Sequence, residues 1–68
     1  MTFTHAHATY TVTNSSTPAE RGLDYLAAEY DRTGWTHTIA ARRPKGTKDY
    51  FFHARIEGGA VVMTSGPF

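Results

Sequence analysis

The chain has 68 residues, a formal net charge of +1 and no cysteine. One domain over residues 1–68 is expected, with neither a disulfide framework nor a thiolate metal site. No apolar run nears the roughly 18 residues of a membrane-spanning helix, and the start, Met1-Thr2-Phe3-Thr4-His5, lacks the basic and apolar regions of a secretion signal, so a cytoplasmic location is expected.

Thr2 to Thr13 is rich in threonine, alternates, and contains no Gly or Pro; it reads as one long strand. A turn is expected at Asn14-Ser15-Ser16-Thr17. Thr17-Pro18-Ala19-Glu20 then has the signature of a helix start: a capping threonine, a proline at the first position, and a glutamate placed to close a capping box. Leu23, Leu26, Ala27 and Tyr30 fall on one helical face, and Gly34 suits a C-terminal cap, so a helix is expected from Pro18 to about Arg32. Trp35 to Arg43, Lys48 to Glu57 and Ala60 to Ser65 read as three strands. They are joined by a turn at Pro44 to Thr47 and a two-residue turn at Gly58-Gly59.

These turns set registers. Ala41 should face Tyr50, Ile39 face Phe52, His37 face Ala54, Ile56 face Val61 and Ala54 face Met63. Trp35, Ile39, Tyr50, Phe52, Ile56, Val61 and Met63 then share one face, which a one-residue slip would invert. Tyr10 and Val12 join it by parity, and the helix should cover it with Leu23, Leu26 and Tyr30. The expected fold is α+β: a two-layer sandwich, β-α-β-β-β, with a four-stranded, mainly antiparallel sheet and one helix on one face. Leu, Ile, Val and Phe make up only about 16% of the chain, too few for a large core. Chains of this size bury about 60% of their unfolded surface, so association with a second copy is expected to add stability.

The other sheet face should carry Phe3, His5, His7, Thr38, Ala40, Arg42, Phe51, His53, Arg55 and Val62. Phe51, His53, Arg55 and Val62 form the expected protein-contact surface, with Tyr25 on the outer side of the helix as a further candidate. The expected function is that of a small non-enzymatic interaction module, binding a protein partner and self-associating through this face or a free strand edge. An alternative is nucleic-acid binding. The segment 42–48 carries Arg42, Arg43, Lys45 and Lys48, and Phe51, His53 and Arg55 extend it. A third possibility is an oligomeric small-ligand binder with pockets between subunits.

Catalytic motifs are absent: there is no nucleophile elbow, P-loop, dinucleotide fingerprint or metalloprotease helix. His5 and His7 share a face but stand roughly 9–10 Å from His53, two strand spacings away. Zinc bonds of about 2 Å need closer convergence, so no metal and no other cofactor is expected. The β-α-β-β outline with Trp35 opening the strand after the helix is similar to the small flavin-storing dodecins; the likeness covers topology and Trp35 alone. Arginine exceeds lysine five to two, and Ala and Thr are abundant, as suits a GC-rich genome such as that of a phage or an actinobacterium.

Overall fold

A computed structural model describes residues 1–68. Five strands and one short helix run in the order β1 (Thr2–His5), β2 (Ala8–Ser16), α1 (Ala27–Thr33), β3 (His37–Arg42), β4 (Tyr50–Glu57) and β5 (Ala60–Ser65). A 3-10 turn, Asp24–Leu26, leads into α1. Each strand pairs antiparallel with the next in a single sheet, β1-β2-β3-β4-β5. The sheet curls until β1 returns beside β5, giving a nearly closed barrel. A 2.9 Å hydrogen bond between His5 Nδ1 and the Thr64 hydroxyl crosses the seam.

The α+β class stands, but there are five strands rather than four. The expected single strand from Thr2 to Thr13 is a hairpin, turning at Ala6 and His7 with φ of 50° and 67°. Two consecutive left-handed residues suit a tight hairpin, and glycine or asparagine usually supplies them. Alanine and histidine pay about 1–2 kcal/mol each for that conformation. The turn sets Phe3 opposite Tyr10, with their rings stacked at 5.3 Å inside the barrel, which offsets the strain. With two strands before the helix, the dodecin-like β-α-β-β outline does not hold.

The helix is also shorter than its periodicity suggests. The capping box forms: Thr17 N–H donates to Glu20 Oε1, and Glu20 N–H donates to Thr17 Oγ1, each at 3.2 Å. Hydrogen bonding to its carboxylate from the Thr17 backbone N–H, and then from the Thr17 side chain, holds the Glu20 carboxyl below the usual carboxylate range. One turn later Gly22 adopts φ +70°. Its N–H donates to the Ala19 carbonyl at 3.0 Å, and the Leu23 N–H reaches back to the Pro18 carbonyl at 2.8 Å. This Schellman closure ends the first turn, so a separate helix has to start after it. Gly34, at φ 88°, caps α1 as expected.

The β3–β4 register is the expected one, with Ala41 facing Tyr50, Ile39 facing Phe52 and His37 facing Ala54. Ile56 faces Val61, but a bulge follows, so Ala54 meets Thr64 and Arg55 meets Met63. Met63 is thereby moved from the expected core face to the outside.

The core is the barrel interior: Phe3, Tyr10, Ile39, Ala41, Phe52 and Ala54. Phe52 is fully buried, with the rings of Phe3, Tyr10 and His5 around it at 5.1, 5.0 and 5.2 Å. Phe3 and His5 therefore lie inside, contrary to the expected open face. The helix is likewise on the opposite face from the one expected. Its one buried residue, Tyr30, packs against Thr38 and His53, which point outward. Trp35, expected in the core, stacks outside over His53 at 6.2 Å. Closure explains all three departures. A curled sheet buries its apolar face against its own first hairpin, which frees the helix to cover part of the exterior.

Candidate functional site

Outward-facing side chains of β2, β3 and β4 form cross-strand rows. Ser16, Thr38 and His53 make one row; Asn14, Ala40 and Phe51 make the next. The first row is covered by α1 and the turn before it. Arg21 Nη1 donates to Thr38 Oγ1 at 3.3 Å. The Tyr30 hydroxyl lies 2.7 Å from Thr38 Oγ1 and 3.0 Å from His53 Nδ1. Burial, with Arg21 nearby, holds the His53 pKa below its ordinary value, so the neutral ring is favoured. In the tautomer with a bare Nδ1, Tyr30 donates to His53 and Thr38 donates to Tyr30; the other tautomer reverses both bonds, and in either one Thr38 accepts from Arg21. The ring of Phe68 closes on His53 at 4.5 Å. His53, expected as a contact residue, is thus half-buried and ties the helix to the barrel.

The second row stays open. Asn14, Ser16, Arg21, Thr38, Ala40 and Phe51 line a cleft of about 180 Å³. No carboxylate lines it. The three ion pairs of the chain are Arg32–Glu29, Arg42–Asp49 and Arg55–Glu57, which leaves Arg21 without an acidic partner.

A second surface follows β5 and the segment after it. Phe51 is 46% exposed, Val62 53%, Met63 41% and Phe68 68%. The Phe68 N–H donates to the Phe51 carbonyl at 2.8 Å, which holds this segment alongside β4. Arg55 is already engaged: it pairs with Glu57 and donates from Nη1 to the Gly34 carbonyl at 3.1 Å. Tyr25 is exposed but sits on the 3-10 turn, off the sheet.

The β3–β4 loop carries the basic residues. Arg42 Nε donates to Asp49 Oδ1 at 2.7 Å, and that bond raises the Arg42 pKa. The Arg43 guanidinium lies 5.6 Å from the Tyr10 ring centre and 5.2 Å from that of Tyr50, and donates to the Tyr10 hydroxyl at 3.3 Å. Lys48 Nζ is 5.0 Å from the Tyr50 ring centre. These aromatic faces hold both cations at one end of the barrel while leaving them exposed to solvent. Lys45, at φ +61°, is exposed at the tip.

The four histidines are dispersed: His5 is within the barrel wall, His7 in the first turn, His37 at the start of β3 against the Thr36 hydroxyl and His53 under the helix, and no group of three or more metal-ligating side chains forms. Comparison with family models, with curated proteins and with solved structures returns no match for this chain. Sequence reasoning placed Phe51 and Val62 among exposed residues but did not single out Asn14, Ser16, Met63 or Phe68. Gly22 was the available signal for Arg21. A glycine inside a helical pattern marks where the helix can end and its last side chains can swing over a neighbour.

Proposed function

We propose that the chain is a non-enzymatic interaction module that self-associates and binds protein through β5, the segment after it, and Phe51. The observation that carries this is the exposure of Phe51, Val62, Met63 and Phe68 on a chain whose core cluster has six residues. Fully burying one such side chain contributes about 1.5–3 kcal/mol. The occupant we favour is a second copy. A two-fold interface brings the same patch from both chains together, and Arg55, opposite Met63, already has its charge paired with Glu57. The face is favoured over a free strand edge, because β1 and β5 turn their edges toward each other across the His5–Thr64 bond. Val62→Asp should reduce the sedimenting mass to that of one chain. A variant assembly as large as the parent's removes the reading.

A second reading has its own observation, the fixing of Arg43 and Lys48 on tyrosine faces beside the exposed Lys45. Cations preorganised at one end of a small barrel suit phosphate contacts with single-stranded nucleic acid. Three or four such contacts imply that log affinity falls with log salt at a slope of about −2 to −3. Fluorescence anisotropy at two salt concentrations measures it. The joint change Arg43→Gln/Lys45→Gln should flatten the slope, and an unchanged slope removes the hairpin as the contact.

A further inference from the structure

We infer that the cleft between Arg21 and Phe51 holds one nucleotide of a single strand, its base stacked on Phe51 and a phosphate on Arg21. The inference rests on the nucleic-acid reading and deepens it with a second, separate site.

The cleft's size comes first. At about 180 Å³ it is smaller than the roughly 300–1,000 Å³ that encloses a whole small ligand. It suits one flat ring of a longer molecule that continues outside. Its chemistry is divided in the same way. Phe51 offers an aromatic ring, half exposed, and Ala40 opposite it on β3 has no bulk to keep a ring away. The Asn14 amide and Ser16 hydroxyl bring donor and acceptor atoms for a base edge. Arg21 spends one N–H on Thr38 and keeps four, with no carboxylate to compete for them. Arg21 is the one charged residue lining the cleft, which favours an oxyanion.

Continuity is the third support. Arg42 lies two residues beyond Ala40 on the same face of β3, about 7 Å along the strand. A strand leaving the cleft in that direction meets Arg42, which is paired with Asp49, before the exposed Lys45 of the following loop. Aromatic stacking of this kind tolerates any base, while the polar rim adds a modest preference.

The test is fluorescence anisotropy of a labelled decathymidylate and a labelled duplex at about 50 and 150 mM salt, with the parent, Arg21→Gln, Phe51→Leu, Phe51→Tyr and the joint Arg43→Gln/Lys45→Gln variant. Phe51 also belongs to the proposed self-association face, so the sedimenting mass of Phe51→Leu and Phe51→Tyr is measured alongside, and a loss of strand affinity that tracks a loss of assembly overturns the stacking assignment; Arg21, Arg43 and Lys45 lie outside that face. Losing one stacked base corresponds to about 5- to 150-fold weaker binding. Phe51→Leu should show a loss in that range for the single strand but not for the duplex, and Phe51→Tyr should restore it. Arg21→Gln should lower the salt slope by about 0.7. If only the hairpin variant loses affinity, the cleft assignment is overturned while the nucleic-acid reading stands. If the parent binds no single strand, both fall. If thymidine monophosphate binds as tightly as the decamer and depends equally on Arg21, the site takes free nucleotides and the single-strand assignment is overturned.

Discussion

Phe52→Ala tests which sheet face is the core. Phe52 is fully buried and is surrounded by the rings of Phe3, Tyr10 and His5. Removing a buried phenyl group costs about 3–5 kcal/mol in lost transfer energy and cavity formation. At 0.05–0.15 kcal/mol per residue, a chain of this length has about 3–10 kcal/mol in total. Phe52→Ala therefore leaves the domain unfolded or close to it, and Phe52→Leu, which keeps most of the volume but loses the ring contacts, is the informative companion at about 1–3 kcal/mol. Its neighbour Phe51 points to the other face and is 46% exposed, so Phe51→Ala should cost less than about 1 kcal/mol. Urea unfolding followed by far-UV circular dichroism reads each change as a shift in midpoint at constant slope. The opposite order, with Phe51→Ala collapsing and Phe52→Ala melting like the parent, would place the strand one residue out of register and turn the barrel inside out.

Gly22→Ala decides whether the Pro18 turn and α1 are one helix or two. A Cβ at Gly22 meets no atom within 4 Å, so only its φ of +70° matters, and alanine there should destabilise by about 1–2 kcal/mol; a stabilisation of about 1 kcal/mol would indicate a continuous helix. His53 should make stability pH-dependent. Its folded pKa lies below the ordinary 6.5, so the unfolded chain binds more protons in that window. Stability is then full above about pH 6.5 and falls as pH drops through the depressed pKa, a step that thermal melts should show in the parent and not in His53→Gln. A step of the same size in both proteins would mean that other groups cause it.

Much of this arrangement is legible in the residues, and the limits have physical causes. The β3–β4 register follows from alternation on both strands and the loop that joins them. Gly58-Gly59 likewise announces the last hairpin and its Ile56–Val61 pair. Ala6 and His7 carry no such signal, because neither residue favours positive φ, so the first hairpin looks like one strand. The bulge beside Arg55 has no marker either, and it alone reverses Met63. Alternation also shows which side chains share a face without showing what covers it. Alternation groups Ile39 with Phe52, and what covers them is the Phe3–Tyr10 hairpin and not the helix. The same limit applies to the site. Phe51 and Val62 could be named as exposed apolar residues, whereas the cleft needs Asn14 from β2 and Arg21 from a turn, which only the folded chain brings together.

Sedimentation equilibrium of the unmodified chain over a concentration series from micromolar to millimolar tests the proposed self-association most directly. The account predicts a mass above the 7.5 kDa of one chain already at micromolar concentration. A mass that stays at 7.5 kDa throughout the series would contradict it.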